Sequence, residues 1–200
     1  MKKFFKSMIA LAVLVAAGIP FSARAAENEE PIITLFSDAQ KEGAGGFGIT
    51  LGTDTQAAYF DIDFGFGKEE VEVQPWTVED GSIKGTYIAC SPVKEVKIYG
   101  DASKLSLFRA SGAYLTQADI SKCTELQVID LSHNMLRSLD LTPQTKAYAI
   151  YLGDNPFTPQ TPCVIGAPKP SLEILEVDII DNFDPDFNLS DYPKMLTVPE

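Results

Sequence analysis

One pattern recurs three times in this chain at an interval of 21 residues. Its clearest copy is LQVIDLSHNMLRSLDL, in which the apolar places are Leu126, Ile129, Leu131, Leu136, Leu139 and Leu141, with Asn134 among them. One interval upstream the pattern is formed by Leu105, Phe108, Ala110, Leu115, Ala118 and Ile120, and one interval downstream by Ala147, Ile150, Leu152, Asn155 and Phe157. This spacing follows neither the period of roughly 3.6 residues of a helix nor the alternation of a strand throughout.

The pattern predicts one short β-strand in each copy. Its L-x-L part alternates, and alternation places the two leucines on the same face of a strand. We therefore expect neighbouring parallel strands of one sheet at residues Leu107–Ser111, Val128–Ser132 and Ala149–Gly153. Ile129 and Leu131 should then point inward and contact their equivalents one interval away.

The asparagine has a separate task, because it stands where the chain must turn out of the strand. Its side-chain amide can satisfy backbone groups of a neighbouring turn, which a leucine cannot do. A period of roughly 20–29 residues with this order is typical of leucine-rich repeats, whose stacked turns bury one continuous core. Chance alternation in a β-sandwich is the alternative. The predicted repeat core consists of Leu105, Phe108, Leu115, Leu126, Ile129, Leu131, Asn134, Leu136, Ile150, Leu152 and Asn155.

A degenerate fourth copy is expected near the carboxyl end. SLEILEVDII places Leu172, Leu175 and Val177 in the L-x-x-L-x-L order. The interval of 21 is lost there, because TPQTPCVIGAPKP intervenes with its four prolines. Such a break is expected near the cap of a repeat array.

Residues 31–100 have a different pattern of short β-rich runs separated by turns containing Gly, Asp or Pro. In YFDIDFGF, Phe60, Ile62 and Phe64 share one face of the predicted strand. Several such strands predict a small antiparallel β-sandwich. Its last strand, VKEVKIYG, is expected to lie beside the first repeat strand. The predicted organisation is a signal peptide over 1–25, a β-sandwich over 26–100 and a leucine-rich repeat solenoid with its cap over 101–200, which makes the chain mainly β.

The first 25 residues have the features of a secretory signal peptide. MKKFFK is basic, SMIALAVLVAAGIPF is apolar, and small residues at Ala23 and Ala25 predict a cut after Ala25. Its removal lowers the basic residues from 16 to 12 against 28 acidic ones, so the net charge moves from −12 to −16. A surface of that charge repels nucleic acid and anionic lipid. The protein is thus expected to be exported to the periplasm, the cell surface or the medium, without a membrane span.

The outward positions of the repeat strands form columns, since paired strands lie about 4.8 Å apart. One column is Arg109, Asp130, Tyr151 and, in the fourth copy, Glu176. Its mixture of a cation, acids and an aromatic ring suits contact with a protein or a glycan. A second column, Leu107, Val128 and Ala149, is expected to expose apolar atoms. These columns are the predicted binding face, and an ordinary solvated sheet face is the alternative.

Other candidate chemistry in the sequence is weaker. His133 is the one histidine, so any histidine-based triad would need it, and its place at a strand edge favours solvent exposure instead. DIIDNFDPDF carries Asp178, Asp181, Asp184 and Asp186, but without the spacing of an EF-hand, so a solvated acidic turn is favoured over a calcium site. No metal or cofactor is expected.

Three cysteines, Cys90, Cys123 and Cys163, are an odd number, so they cannot form a complete disulfide framework. One bridge between two of them and three buried thiols are both compatible with the sequence.

The order of these features resembles the secreted leucine-rich repeat proteins of gut Bacteroides-type bacteria and, more distantly, the internalins. The resemblance lies in the leader, the β-domain with IDFGFG and VKIYGD, and the repeats with LQVIDLSHNMLRSLDL. Two departures are the small number of repeats and Phe66, which stands where the DFGDG form of such β-domains has an acid. The resemblance implies an adhesive or interaction role.

The sequence therefore predicts a non-enzymatic interaction protein that binds a protein or glycan through the strand face. The alternatives are a polysaccharide-processing enzyme or accessory subunit that uses carboxylates, and a structural envelope protein without a discrete ligand. A pair of carboxylates roughly 5–10 Å apart in a cleft would favour the enzyme.

Overall fold

The structure is a computed structural model that describes residues 30–158, 160–166, 168–177, 186 and 188–191. The predicted signal peptide lies outside these residues. The described chain is mainly β, as the sequence predicted. Its strands, in chain order, are β1 (Ile33–Ser37), β2 (Phe47–Thr53), β3 (Ala58–Asp63), β4 (Lys68–Val73), β5 (Thr77–Glu79), β6 (Ser82–Lys84), β7 (Thr86–Cys90), β8 (Glu95–Tyr99), β9 (Leu105–Arg109), β10 (Leu115–Asp119), β11 (Val128–Asp130), β12 (Leu139–Asp140), β13 (Ala149–Tyr151), β14 (Cys163–Val164) and β15 (Ile174–Glu176).

Two large sheets organise the part of the chain that the structure describes. The first has the order β10-β1-β8-β3-β4 and is antiparallel throughout. The second has the order β15-β13-β11-β9-β2-β7. Each sheet contains strands from both sides of residue 100, and their buried residues form one continuous apolar cluster.

The four strands β9, β11, β13 and β15 pair in parallel. Leu107 lies opposite Val128, Val128 opposite Ala149, and Ala149 opposite Ile174. The prediction of neighbouring parallel strands in register at an interval of 21 is therefore confirmed. The fourth segment pairs at an interval of 25, as the intervening prolines require.

β9, β11 and β13 all end earlier than predicted, at Arg109, Asp130 and Tyr151, because the chain turns through a left-handed residue in each copy of the pattern. Gly112, His133 and Asp154 occupy equivalent places and have φ angles of 65°, 54° and 55°. This conformation costs little for glycine and is tolerated by Asp, Asn and His, whereas a β-branched residue would be strained. The backbone therefore leaves the sheet at the same place each time.

The asparagine prediction is confirmed by the hydrogen bonds. Asn134 Oδ1 accepts from the backbone N–H groups of Ala113 and Leu115, both at 3.0 Å. Its Nδ2 donates to three carbonyls, those of Ala110, Leu131 and Ser132. Asn155 repeats the arrangement one interval later, accepting from Leu136 N and donating to the carbonyls of Leu131 and Leu152.

The apolar places of the pattern are buried. At most 1 % of the surface is exposed for each of Leu105, Phe108, Leu115, Leu126, Ile129, Leu131, Leu136, Ile150 and Leu152. Asn134 is 6 % exposed and Asn155 is half-buried. In β3 the predicted alternation also holds, since Phe60 and Ile62 are buried and Phe64 packs against the same cluster.

The strand beside the first repeat strand is not the one that the sequence predicted. β8, from VKEVKIYG, lies between β1 and β3 in the first sheet. β2 pairs with β9 instead, with Leu51 opposite Phe108 and both side chains buried. Both edges of β8 are already paired, with β1 and with β3. The strand that precedes β9 in the chain is therefore not the strand that lies beside it.

None of the cysteines is in a disulfide, and Cys90, Cys123 and Cys163 are all buried. Burial raises the pKa of the Cys90 thiol and of the Cys123 thiol to about 12. Of the two arrangements that the sequence left open, the structure has the three buried thiols.

A buried polar side chain crosslinks successive segments at a second recurring place. Gln144 Nε2 donates to the carbonyl of Ile120 at 2.9 Å. Lys169 stands at the equivalent place one segment later, and its Nζ donates to the carbonyl of Leu141 at 2.6 Å. Cys123 stands at the equivalent place one segment earlier, and its Sγ contacts the carbonyl of Ile32. Lys169 is only 1 % exposed, and this burial lowers its pKa from 10.5 to about 8.

Because of Lys169, the free energy of unfolding should vary with pH in the alkaline range. The folded chain binds the lysine proton less tightly than the unfolded chain, so stability from this group rises with pH between about 8 and 10.5. The Lys169→Met variant lacks this dependence. Between pH 7 and pH 9.5, we therefore expect the free energy of unfolding of the natural protein to rise by about 2 kcal/mol relative to that of the variant. Urea unfolding of both proteins at the two pH values measures it, and a constant difference would show that the ammonium group stays solvated.

Among the described residues, no helix has the length and apolar character needed to cross a bilayer.

Candidate functional site

The four residues of the predicted polar column lie side by side on adjacent strands. Arg109 pairs with Asp130, Asp130 with Tyr151, and Tyr151 with Glu176 across the register of β9, β11, β13 and β15. We name these four residues the strand row. Because the register is fixed by the buried residues beneath, the backbone under the strand row is held by the core.

The second predicted column is not exposed, and this prediction is wrong. Leu107, Val128 and Ala149 have no exposed surface. Together they form a second apolar cluster on the outer face of the sheet, against which Trp76, Ile83, Tyr148 and Tyr151 pack. Leu107 and Val128 therefore act as core residues and offer no surface to a partner.

The cover over these residues is a short segment of the amino-terminal half, in which β5 and β6 form a hairpin with Asp80 and Gly81 at its turn. Trp76 precedes the hairpin, stacks on Tyr148 with ring centroids 6.2 Å apart, and donates from Nε1 to Ser106 Oγ at 3.1 Å. Arg109 Nη1 donates to the carbonyl of Ile83 at 3.2 Å. The hairpin is thus fixed to the strand face from both sides.

An open cleft of about 450 Å³ remains between the hairpin and the strand row. The hairpin supplies one wall through Gly81, Ser82 and Ile83. The strand row supplies the other wall, and the ends of its strands close the cleft with Ser111, Ser132 and His133. The structure therefore brings all four residues of the strand row to one cavity.

Arg109 and Asp130 form the central ion pair of the cleft, with Nε of the arginine 3.1 Å from Oδ2 of the carboxylate. The Asp130 side chain is 9 % exposed and that of Arg109 is 36 % exposed, so the pair is partly buried rather than a surface pair. Oδ1 of Asp130 accepts from Ser132 Oγ at 2.6 Å, and Ser132 Oγ lies 2.9 Å from Ser111 Oγ. This chain of contacts fixes the floor of the cleft.

Tyr151 is half-buried beside this pair. Burial raises the pKa of its hydroxyl first, the charges of Asp130 and Glu176 raise it further, and Arg109 opposes them. The proton on the phenol oxygen is therefore retained well above neutral pH, and the hydroxyl can donate a hydrogen bond to a ligand.

His133 lies at the edge of the cleft, and it is exposed to solvent, as its predicted place at a strand edge favoured. Its Nδ1 lies 2.6 Å from Asp154 Oδ2, and the two side chains are 63 % and 66 % exposed. An ion pair that is so exposed contributes little to stability. Both residues are left-handed corner residues, so their closeness follows from the repeat.

In the described part of the chain, no three His, Cys, Asp or Glu residues are grouped so as to hold a metal ion. Of the acidic run near Asp181, only Asp186 is described, so that prediction falls on residues outside the described ranges. Asp63 caps its own turn by accepting from the N–H groups of Gly65 and Gly67.

No family model, no curated protein and no solved structure matches this chain.

Sequence reasoning missed several residues of the site. Ser111 and Ser132 are 21 residues apart, so the repeat alignment contained the signal for them. The hairpin residues carried no such signal, because nothing in the local pattern of TVEDGSIK indicates that it packs on strands that follow later in the chain.

Proposed function

We propose that this is an exported interaction protein that binds a protein or glycan partner in the cleft between the hairpin and the strand row. The proposal includes the view that β9, β11, β13 and β15 belong to successive turns of a short leucine-rich repeat solenoid. The parallel register, the left-handed corners and the asparagine hydrogen bonds at the interval of 21 support that view.

The observation that carries the proposal is the composition of the cleft on its fixed backbone. A tyrosine ring, an arginine held by two partners and serine hydroxyls line one cavity. Tyrosine and arginine are enriched among residues that dominate binding energies, and groups held in place lose little entropy when a ligand binds.

The enzymatic alternative would use the two carboxylates that line the cleft, Asp130 and Glu176, and the surroundings of Asp130 give it less support. Both oxygens of Asp130 already accept hydrogen bonds, from Arg109 and from Ser132. These partners occupy lone pairs that a general base would need. The carboxylate is thus better suited to orient Arg109 than to transfer a proton.

Tyr151→Ala is the most direct test of the cleft. In a screen of immobilised glycans and candidate surface proteins, we expect the variant to bind a ligand of the natural protein ~2 kcal/mol more weakly, which is about 30-fold in Kd. The matched control is Tyr59→Ala, because Tyr59 is 49 % exposed on β3 of the other sheet. If the two variants bind equally well, the cleft is not the binding site.

Arg109→Ala is a poor probe for the same purpose. It would leave the mostly buried carboxylate of Asp130 without its cation and would release the hydrogen bond to Ile83. Weaker binding in that variant could then result from a displaced hairpin rather than from a lost contact with the ligand.

A further inference from the structure

The charges around the cleft are not balanced. Asp130 and Glu176 line it with two carboxylates, and Arg109 is the cation among the lining residues. Arg109 is occupied by Asp130 through Nε and by the carbonyl of Ile83 through Nη1. Little of its positive charge therefore remains for a ligand, whereas Glu176 is exposed at the end of the strand row.

The acidic character continues on the rim. Exposed acids adjoin residues that line the cleft, namely Glu79 and Asp80 on the hairpin side and Asp154 beside His133 on the strand side. Within these neighbouring segments Lys84 is the exposed base on the hairpin. Burial is the main cause of the raised pKa of Tyr151, and the charges of Asp130 and Glu176 raise it further against the opposing charge of Arg109.

A phenol ring beside carboxylates is a favourable environment for a cation. The ring face attracts a guanidinium or ammonium group, and a carboxylate beside it adds a charge-assisted hydrogen bond. In this cleft the ring is Tyr151 and the exposed carboxylate is Glu176, which are opposite each other in the register of β13 and β15.

We propose that the cleft accepts an arginine or lysine side chain of an extended basic segment of a partner protein. This inference rests on the proposed function and narrows its ligand from a protein or glycan to a basic peptide. The charge of the protein agrees with it, because the whole chain carries −12 and a positive segment would be attracted from a distance.

The test uses the purified protein and two peptides of equal shape, acetyl-Ser-Arg-Ser-Arg-Ser-amide and the same peptide with citrulline in place of arginine. Citrulline keeps the size and hydrogen-bonding plane of arginine but has no charge. We expect the citrulline peptide to bind about tenfold more weakly by isothermal titration calorimetry, and the affinity of the arginine peptide to fall with added salt.

Two variants distinguish the cleft from a diffuse attraction to an acidic protein. Glu176→Gln should weaken binding of the arginine peptide by about three- to fivefold, as the loss of one charge-assisted hydrogen bond at an exposed carboxylate implies. Glu72→Gln removes an exposed carboxylate from β4 of the other sheet, and it should change the affinity by less than about twofold.

Equal losses in the two variants, equal affinity for the two peptides, or no measurable binding of the arginine peptide would each overturn the inference. A neutral oligosaccharide that binds in a manner sensitive to Tyr151→Ala but not to Glu176→Gln would overturn it as well, while the proposed function would stand. If no glycan, peptide or protein binds in a manner sensitive to Tyr151→Ala, the proposed function fails too.

Discussion

Replacement of Asn134 by alanine is expected to lower the free energy of unfolding by ~3–6 kcal/mol. The change would leave the buried N–H groups of Ala113 and Leu115 without an acceptor, and each such group costs ~1–3 kcal/mol. The carbonyls that receive Asn134 Nδ2 would lose a donor in addition. Bulk water does not reach these groups, because Asn134 is only 6 % exposed.

Asn155→Ala is the matched comparison, since Asn155 occupies the equivalent place but is only half-buried and has one backbone N–H partner, Leu136. Chemical denaturation should show a smaller loss there, ~1–3 kcal/mol. Hydrogen exchange in Asn134→Ala should be accelerated at the amides of Ala113 and Leu115. If Asn134→Ala lowers the free energy of unfolding no more than Asn155→Ala does, then the hydrogen bonds of Asn134 to Ala113 and Leu115 do not stabilise the fold as proposed.

Leu131→Ala should cost ~2–5 kcal/mol, the range that large-to-small changes in cores produce. The leucine has no exposed surface. Its backbone is also pinned, because its N–H donates to the carbonyl of Tyr151 and its own carbonyl accepts from both Asn134 and Asn155. A pinned backbone cannot collapse into the space that the side chain leaves, so we expect a value in the upper half of the range.

Met135→Ala is the control for that measurement, since Met135 lies four residues along the chain and is 36 % exposed. Its replacement should change the free energy of unfolding by less than about 1 kcal/mol. A loss below about 1 kcal/mol for Leu131→Ala itself would mean that the side chain is not packed as described.

The positions of β9, β11 and β13 could be predicted from the sequence because they repeat. A fixed interval of 21 residues aligns Phe108, Ile129 and Ile150, and residues aligned in this way become neighbours when the strands pair in parallel. The same alignment gave the strand row and the task of Asn134. One local rule, applied three times, determines that part of the structure.

The exposure of the second column could not be predicted in this way. Alternation places Leu107, Val128 and Ala149 on the face opposite Phe108, and that assignment is correct. Alternation does not say what lies on a face, and here Trp76 and Ile83 cover it. The sequence thus predicts a binding surface at this column, whereas in the structure the column is covered by a second layer of side chains.

By itself, the sequence determined the register of the repeat strands and the side of each strand that faces the main core, because these depend on residues at a constant separation along the chain. Only the tertiary structure decided that β2 lies beside β9 and that the hairpin of β5 and β6 forms a wall of the cleft. Those contacts join segments of unrelated pattern, such as Trp76 to Ser106 and Arg109 to Ile83. Their formation depends on how two complementary surfaces meet in three dimensions, which no periodicity in either segment records.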